Sequence, residues 1–457
     1  MARRMPEPGA FGAQYHRRLR EIFRFLVPSG LSVLEVGCAR GDLLAALDPA
    51  IGVGVDFSAE MLRQARERHP GLSFVEADAH DLSVLDKRFD VVVLSDLLND
   101  VWDVQRVLEQ VNSVCRPQAR VITNVYSHLW KGTLAAAASL GLARPKLEQN
   151  WLTVEDLRNL CSLAGFEHVS HTQEVLLPVP LPGARFAANR CLVKLWPFKH
   201  FALTNVIVTR LAGPKAKPNP TVSVIVPARN EAGNIPRLIK EVPEMGGGTE
   251  IVFVEGHSRD DTYAVIEREI ASHRGRQCSV YRQTGVGKGD AVRLGFEKAH
   301  GDILMILDAD LTVDPEDLRR FFDAIESGKG EFINGVRLVY PMEEEAMRFF
   351  NLLGNKFFSW AFSWLLGQPI KDTLCGTKVL WRTDYQRIAA NRAYFGDFDP
   401  FGDFDLLFGA AKLNLKIVEI PIRYGARRYG TTNIQRWRHG WLLLRMVVFA
   451  ARRIKFV

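Results

Sequence analysis

Acidic residues stand at the ends of several apolar segments in the second half of the chain. The segments 222–226, 250–254 and 302–307 are rich in Val, Ile and Leu, as buried strands are. The acids that follow them are Glu231, Glu255, Asp308 and Asp310. Parallel strands bring their carboxyl ends to one edge of a sheet, so the sequence predicts that these carboxylates share one site.

The spacing of Asp308 and Asp310 suits the transfer of a sugar from a nucleoside diphosphate. That reaction releases a dianionic diphosphate, whose charge is stabilised by a hard divalent cation with oxygen ligands. Two carboxylates at i and i+2, where a strand gives way to a turn, can serve a ribose and a metal ion together. Basic side chains can share the remaining charge.

Five short motifs extend this pattern. They are Pro227-Ala-Arg-Asn-Glu231, Glu255 with Ser258 and Asp260, Gly287-Lys-Gly289, Asp308-Ala-Asp310 and Asp372-Thr-Leu-Cys-Gly376. With these motifs the chain resembles the family 2 glycosyltransferases of GT-A fold from Thr221 to about Asn433. Within that family it looks most like the polyprenyl-phosphate (dolichol-phosphate type) sugar transferases.

The resemblance implies roles for individual residues. Those implied to surround a nucleotide-sugar donor are Pro227, Arg229, Glu231, Glu255, Lys288 and Asp308. Asp310 would bind Mg²⁺ or Mn²⁺, and Arg337 and Arg348 would hold the phosphate of a lipid acceptor. The chain departs from the family at Gly256, where a second acid is common, and at Thr312, where close relatives often carry Gln. The departure at Gly256 leaves the identity of the donor's nucleobase undetermined. The departure at Thr312 predicts that water supplies more of the ligands of the metal ion.

Two further polar segments have alternative interpretations. Asp403 and Asp405 can supply a general base if the acceptor is a hydroxyl group. A phosphate acceptor needs no base, and Asp405 would then cap the helix predicted for 406–411. Arg427 lies among glycines and other basic residues in 422–432, which predicts either a loop that closes on the diphosphate or a solvated basic loop.

The first half of the chain has its own series of strand-end acids. The motif Glu35-Val-Gly37-Cys-Ala-Arg-Gly41 closes an apolar strand and predicts a small-residue turn that opens a helix near Asp42. Asp56 and Asp78 end the next two predicted strands, and a carboxylate at the strand end of Asp56 can accept both hydroxyls of a ribose. This arrangement resembles the class I S-adenosylmethionine-dependent methyltransferases over roughly residues 15–212.

The resemblance implies that S-adenosyl-L-methionine is the cofactor of this half. The residues implied to bind it are Glu35, Gly37, Gly41, Asp56 and Asp78, while Ala39 replaces a commoner glycine. Another nucleotide-binding Rossmann fold and a methyltransferase fold without turnover are the alternatives. The sequence does not identify the methyl acceptor.

Composition and linkers indicate an α/β protein of two domains. The chain has 457 residues, and three prolines fall within 213–220, which predicts a stiff linker. The expected parts are a seven-stranded Rossmann-like methyltransferase fold (1–212), the linker (213–220), a GT-A fold (221–435) and a basic amphipathic helix (436–457). Six scattered cysteines favour a reducing cytoplasm, and the N-terminus does not resemble a signal peptide.

Two helical segments predict a peripheral position on the inner face of a membrane. In 347–366, the polar residues form one narrow stripe and aromatic residues cover the rest. In 437–456, Arg438, Arg445 and Arg452 recur at intervals of seven among apolar residues, a pattern that suits an anionic interface. The alternative is that both helices pack on the domain or on a second subunit.

The sequence therefore predicts a bifunctional enzyme. One half would transfer a sugar from a nucleotide-sugar to a lipid-linked or polysaccharide-precursor acceptor, and the other would methylate in the same pathway. The alternative is a glycosyltransferase with a non-catalytic docking or regulatory methyltransferase-like module. The net charge of +7 also suits nucleic acid, but no basic platform interleaved with aromatic residues is present, so no nucleic-acid partner is expected.

Overall fold

The computed structural model describes residues 10–139, 149–178, 183, 186–214, 217–337, 339, 349–394, 404–425, 429 and 436–457. It divides into two compact units, Met1–Ala212 with Lys455–Val457, and Gly213–Ile454. Of the residues singled out above, Arg348, Asp403 and Arg427 lie outside the described residues.

The first unit contains the predicted seven-stranded sheet. Its strands are β1 (Ser32–Val36), β2 (Ile51–Asp56), β3 (Ser73–Glu76), β4 (Phe89–Ser95), β5 (Cys115–Tyr126), β6 (Phe166–Glu174) and β7 (Thr204–Leu211). Its helices are Ala10–Leu26, Asp42–Ala46, Ala59–Arg68, Val104–Ser113, Lys131–Ser139 and Val154–Leu163. The strand order is β3-β2-β1-β4-β5-β7-β6.

The chain reverses direction only at β7 in this sheet. Strands β1 to β5 pair in parallel, whereas β7 is antiparallel to β5 and to β6. Strand β1 is buried along its whole length, because helices pack on both faces of the sheet. The carboxyl ends of β1, β2 and β4 therefore meet at one edge, where the glycine turn, Asp56 and Asp96 lie.

The second unit contains another seven-stranded sheet. Its strands are β8 (Val222–Ala228), β9 (Thr249–Glu255), β10 (Gln277–Arg282), β11 (Ile303–Ile306), β12 (Phe332–Val336), β13 (Lys378–Trp381) and β14 (Ile417–Pro421). Its helices are Ile235–Glu241, Thr262–Ser272, Lys288–Lys298, Leu318–Glu326, Phe349–Leu366, Arg382–Ala390, Phe404–Lys412 and Arg436–Ala450. The order is β10-β9-β8-β11-β13-β12-β14, with β13 antiparallel to β11 and β12.

Strand β13 divides the second sheet into two parallel groups. Strands β10, β9, β8 and β11 form one group, so the predicted strand-end acids share an edge. The core on this sheet comes from side chains such as Val224, Phe253 and Met305, which are fully buried. The apolar segments that predicted these strands therefore form the interior.

The two predicted amphipathic helices are only partly exposed. In Phe349–Leu366, Phe362 is fully buried and lies against Phe404 and Phe408 at ring-centroid distances of 5.2 and 6.0 Å. Trp360 of this helix and Trp441 of the helix Arg436–Ala450 are exposed. Within the described parts of the chain, no helix combines the length and apolarity needed to cross a bilayer.

Candidate functional site

Asp308 and Lys288 form an ion pair at the carboxyl end of β11. The distance between Lys288 Nζ and Asp308 Oδ1 is 2.6 Å, and Lys288 is the first residue of its helix. Gly376 lies directly against the pair, since a Cβ on it would overlap Asp308 Oδ2 and fall 2.5 Å from Lys288 Nζ. Burial acts to raise the pKa of Asp308, but Lys288, Lys378 and Arg337 outweigh it and lower the pKa. Asp308 is therefore ionised at neutral pH.

Asp310 is oriented by its own turn. Its Oδ1 accepts hydrogen bonds from the backbone N–H of Thr312 at 3.2 Å and from the Thr312 hydroxyl at 2.7 Å. The intervening Leu311 has a φ of 53°, a left-handed conformation that turns the chain sharply after β11. Thr312 thus positions the Asp310 carboxylate.

The loops after β8 and β9 are tied together by side-chain hydrogen bonds. The N–H of Asn230 donates to Ser258 Oγ at 3.0 Å, and the N–H of Arg259 donates to Asn230 Oδ1 at 2.7 Å. Glu255 accepts from the N–H of Ser258, while Glu231 accepts from Asn234 Nδ2 at 2.7 Å. These bonds fix both acids at the sheet edge.

Three of the predicted donor-side residues lie together on this edge. Pro227 pairs with Val254 in the ladder between β8 and β9, and Glu255 follows Val254 at the end of β9. Arg229 is exposed and lies beside Gly256, where a Cβ would fall 3.4 Å from Arg229 Cβ. The residues predicted from β8 and β9 are therefore neighbours.

Gln283 is a candidate that the sequence motifs missed. It is buried after β10, and its Oε1 lies 3.6 Å from the position of a Cβ on Gly256. The amide of Gln283 therefore lies beside the backbone of Gly256, at the end of β9. The signal in the sequence is a polar residue at one more strand end.

Arg337, which is partly buried, forms a bidentate pair with the buried Asp372. Arg337 Nε and Nη2 donate to the two carboxylate oxygens of Asp372 at 2.7 and 2.9 Å, and the Arg337 N–H donates at 3.1 Å. Burial acts to raise the pKa of Asp372, but the hydrogen bonds and charge of Arg337 lower it. The guanidinium also lies 5.1 Å from the ring centroid of Tyr424. Arg337 thus pairs with a carboxylate of its own chain, whereas the predicted role was to hold the phosphate of a lipid acceptor.

Asp405 is buried between two arginines. Arg293 Nε and Arg392 Nε each lie 3.5 Å from Asp405 Oδ2, and Asp405 is the second residue of its helix. Both guanidinium groups therefore hold the carboxylate of Asp405 in ion pairs. This environment suits a structural role better than the predicted general base.

In the first unit, the glycine turn after β1 leaves little room for side chains. Gly37 and Gly41 have φ values of 76° and 72°, and Ala39 between them has 46°. A Cβ on Gly37 would lie 2.9 Å from Leu97 Cδ1, and one on Gly54 would lie 2.7 Å from Cys38 Sγ. The turn therefore brings bare backbone close to any molecule bound at this edge.

Asp56 and Glu35 hold the turn from two sides. Asp56 Oδ2 accepts from the N–H of Ala39 at 2.9 Å, and Oδ1 accepts from the N–H of Ser58 at 2.9 Å. Each carboxylate oxygen has a second lone pair, so Asp56 can also accept two ribose hydroxyls. Glu35 is buried and accepts from the N–H of Leu44 at 2.9 Å, which fits a positioning role.

Asp78 forms a small cluster with two aromatic residues. His80 Nδ1 lies 2.6 Å from Asp78 Oδ1, and the His80 ring is stacked on the exposed Trp102 with centroids 4.5 Å apart. Phe57, directly after Asp56, is also exposed. Exposed aromatic faces near a ribose-type carboxylate are suited to stacking on a nucleobase. Phe57 and Trp102 are therefore two further candidates.

A buried polar network lies at the ends of β4 and β5. Tyr15, from the first helix, donates its hydroxyl proton to Asp96 Oδ1 at 2.7 Å. Asn124 Nδ2 donates to the same oxygen at 2.6 Å. Tyr15 and Asp96 are 81 residues apart, so no local pattern predicts this network.

Comparison with known proteins assigns both units. Residues 223–382 match the model of the glycosyl transferase family 2, and residues 33–118 match a methyltransferase domain. The chain joins a methyltransferase domain to a family 2 glycosyltransferase domain. The predicted fold class is thereby confirmed for both units.

Several curated proteins are similar to about half of the chain. Glycosyltransferase AglJ of Haloferax volcanii is 29% identical over 224 residues, which are 49% of this chain and 69% of that protein. The hexosyltransferase Agl6 of low-salt glycan biosynthesis, from the same organism, is 28% identical over 51% of this chain and 54% of its own length. Polyprenol monophosphomannose synthase of Mycolicibacterium smegmatis is 25% identical over 48% of this chain and 82% of its own length.

Solved structures also resemble the chain. A S-adenosylmethionine-dependent methyltransferase of Thermotoga maritima, described as a possible histamine N-methyltransferase, is 19% identical. The match covers 44% of this chain and 91% of the chain in that structure, with a TM-score of 0.35.

The Arg337–Asp372 pair predicts a large loss of stability on truncation. We expect Arg337→Ala to lower the unfolding free energy of the glycosyltransferase unit by about 3–5 kcal/mol, because it leaves the buried Asp372 carboxylate uncompensated. Differential scanning calorimetry of the whole chain measures this as a lower transition temperature. The control Arg320→Ala removes a more exposed ion pair with Asp317 and should change stability by about 0–1 kcal/mol. Equal stability of the two variants would contradict the structural role of Arg337.

The environment of Glu35 predicts a pH-dependent stability of the methyltransferase unit. Burial raises the pKa of Glu35 to about 8, whereas an unfolded chain has a value near 4.3. Between these values the native state binds one more proton than the unfolded state, so stability falls as the pH rises. The slope is up to about 1.4 kcal/mol per pH unit.

Glu35→Gln should remove this dependence. Gln keeps an acceptor oxygen for the Leu44 N–H but does not titrate. We expect the variant to be more stable than the wild type at pH 8, and its melting temperature to change less than the wild type's between pH 5 and 8. The control Glu67→Gln replaces an exposed glutamate and should follow the wild type. A wild-type melting temperature that does not fall between pH 5 and 8 would rule out the shifted pKa.

Proposed function

We propose that the glycosyltransferase unit transfers a sugar from a nucleoside-diphosphate donor to a polyprenyl-phosphate-like acceptor, with the help of a divalent metal ion. The contact of Lys288, Asp308 and Gly376 carries this proposal, with Asp310 two residues further on. It gathers one cation and two carboxylates where β11 ends. A departing diphosphate needs both kinds of group, because it is itself an anion and its metal ion is a cation.

The donor set suits Mg²⁺ or Mn²⁺ that arrives with the donor. In the described parts of the chain, no group of three acidic, histidine or cysteine side chains is arranged to hold a metal ion. Magnesium is commonly bound by one or two carboxylates together with substrate phosphates and water, so Asp310 with Asp308 is sufficient. When bound, the ion would supply charge stabilisation to the leaving diphosphate.

The chain's own groups have separate tasks in this proposal. Glu231, Glu255 and Gln283 line the side of the nucleoside, and Asp308 accepts from the ribose. Lys288 neutralises phosphate charge once it is released from Asp308, and Gly376, which has no Cβ, leaves room for both side chains. A phosphate acceptor is already an anion, so no general base is required and the buried Asp405 has no proton to remove.

A transfer assay tests the proposal. Purified whole chain is supplied with GDP- and UDP-sugars, undecaprenyl phosphate in detergent, and either Mn²⁺, Mg²⁺ or EDTA. We expect a lipid-phosphate sugar product with metal and none with EDTA. Transfer that is undiminished in EDTA excludes the metal ion, and donor hydrolysis without any lipid product excludes the acceptor class.

For the methyltransferase unit we propose binding of S-adenosyl-L-methionine and methyl transfer in the same pathway. The support is the turn around Gly37 and the acceptor geometry of Asp56. The bound cofactor would supply the methyl group, and Asp96, held by Tyr15 and Asn124, lies at the same edge of the sheet. A unit that binds the cofactor but methylates no product of the sugar transfer would be a docking or regulatory module.

We also propose that the protein works at the inner face of a membrane, since a polyprenyl chain resides there. The exposed Trp360 and Trp441 of the two amphipathic helices support this position. Co-sedimentation of the whole chain with anionic vesicles tests it.

A further inference from the structure

One segment of the methyltransferase unit exposes an unusual number of large apolar side chains. The segment 186–201, here called the aromatic segment, consists of short helical turns at Ala187–Cys191, Leu192–Lys194 and Phe198–Phe201. Trp196 is 77% exposed, Phe201 58% and Phe186 57%, and Leu192, Leu195 and Phe198 are also exposed. Soluble domains rarely leave contiguous apolar surface of this kind uncovered.

The aromatic segment is fixed in place by two polar residues that face inward, Asn189 and Lys194. Asn189 is buried, accepts from the N–H of Leu177 at 2.7 Å and donates to its carbonyl at 2.8 Å. Lys194 is buried and forms an ion pair with Glu174. The segment therefore buries an amide and an ammonium group while it exposes Trp and Phe. This is the reverse of the usual distribution, and it indicates that the outer face meets an apolar environment.

A neighbouring turn extends the exposed surface. Trp130 donates its indole N–H to the carbonyl of Phe201 at 3.0 Å, which joins the turn His128–Trp130 to the aromatic segment. Leu129 in that turn is also exposed.

The aromatic segment itself carries basic residues and no acidic ones. The chain contains no Asp or Glu between Glu174 and Glu231, whereas Arg190, Lys199 and His200 lie within the segment. A surface that combines Trp and Phe with basic residues is complementary to a bilayer with anionic headgroups. An apolar surface on another protein could bind a segment that contains acidic residues, so such a partner would not explain why acidic residues are missing here.

We propose that the aromatic segment docks the methyltransferase unit on an anionic membrane surface. Its aromatic side chains would enter the headgroup region, and Lys199 and His200 would face lipid phosphates. The inference deepens the proposed function, on which it rests for the lipid nature of the acceptor. It gives the methyltransferase unit a contact of its own with the membrane.

Side-chain footprinting can locate this contact within the whole chain. Hydroxyl-radical oxidation of Trp196, Phe198 and Phe201 is measured by mass spectrometry, with vesicles of phosphatidylglycerol and phosphatidylethanolamine, with phosphatidylcholine vesicles, and without lipid. We expect oxidation of these residues to fall severalfold with the anionic vesicles only. Exposed Val84 of the same unit should be oxidised equally in all three samples.

A double variant tests the energetic contribution of the segment. Trp196→Ser with Phe201→Ser should weaken vesicle binding about tenfold or more, while Ile51→Ser with Val84→Ser, which changes exposed apolar residues elsewhere, should not. Melting temperatures and S-adenosylmethionine affinity establish that each variant is folded. Sugar transfer to detergent-dispersed undecaprenyl phosphate should be unchanged in both, so a failure of this inference is distinguishable from a failure of the proposed function.

Three results would overturn the inference. The first is unchanged oxidation of the aromatic segment on vesicles that do bind the chain, which would assign binding to the glycosyltransferase helices alone. The second is equal vesicle binding by the double variant and the wild type. The third is protection that needs no lipid and increases with protein concentration, which would identify a second copy of the chain as the occupant.

Discussion

Asp310→Asn is expected to reduce sugar transfer about a thousandfold, a loss of about 4 kcal/mol of transition-state stabilisation. The substitution keeps the size of the side chain and one oxygen for the Thr312 bonds, but it removes the negative charge. The affinity for Mn²⁺ in the presence of donor should fall in parallel. Initial rates measured over a Mn²⁺ titration give both quantities.

The matched control is Asp314→Asn. Asp314 lies four residues further along the chain and accepts from the N–H of Glu316 at 3.0 Å, away from the end of β11. It should retain activity and metal dependence. If Asp310→Asn kept wild-type rates at every Mn²⁺ concentration, the assignment of the metal ion to this turn would be wrong, even though the enzyme is active.

The environment of Asp308 differs from that of Asp310, because the Asp308 carboxylate is paired with Lys288. Lys288 Nζ lies 2.6 Å from Asp308 Oδ1, where another cation bound to that oxygen would lie. On the proposed function, a diphosphate would offer Lys288 another anion, and Asp308 would then become available to the ribose. Donor binding would thereby complete the site, because Lys288 would pass from Asp308 to the diphosphate.

The strand-end acids could be predicted because each follows from local pattern. An apolar β-branched segment specifies a strand, and a parallel sheet brings successive carboxyl ends to one edge. Glu231, Glu255 and Asp308 therefore follow from three short stretches of sequence and a topological rule. The same reasoning predicted the turn from Gly37 to Gly41 and the carboxylate of Asp56 beside it.

The contacts that refine the site join residues far apart in sequence. Arg337 and Asp372 are separated by 35 residues, and the pair forms because β12 brings Arg337 to the loop that precedes β13. Gly376 meets Asp308 for a similar reason, across the antiparallel pairing of β11 and β13. Local periodicity carries no information on such pairings, so the burial of Asp372 and Asp405 among charged partners could not be anticipated.

The aromatic segment is a different case, because its sequence does not show which side chains face outward. Residues 186–201 mix apolar and basic residues without the spacing of a single long helix. Only the fold shows that Asn189 and Lys194 point inward and Trp196 outward. In the helix Phe349–Leu366 the opposite occurred, since Phe362 packs into the unit although the pattern suggested a largely exposed aromatic surface.

The methyltransferase unit offers the second large effect. Asp56→Ala is expected to weaken binding of S-adenosyl-L-methionine at least about a hundredfold. Two hydrogen bonds from ribose hydroxyls to a carboxylate are worth about 1.5–3 kcal/mol each, and every 1.4 kcal/mol is a tenfold change in affinity. Isothermal titration calorimetry measures the loss directly and requires no knowledge of the methyl acceptor.

The substitution also removes the acceptor for the N–H groups of Ala39 and Ser58, so part of the loss would come from a loosened turn. Asp56→Asn helps to tell the two contributions apart. It keeps one acceptor oxygen for a backbone N–H of the turn, but its amide NH₂ group replaces the other oxygen and meets the second backbone N–H. Asp86→Ala, which removes an exposed carboxylate from the same unit, is the control and should bind as the wild type does. Wild-type affinity in Asp56→Ala would show that the cofactor does not use this strand end, whereas absence of binding in every form, the wild type included, would make the unit a docking module built on a methyltransferase fold.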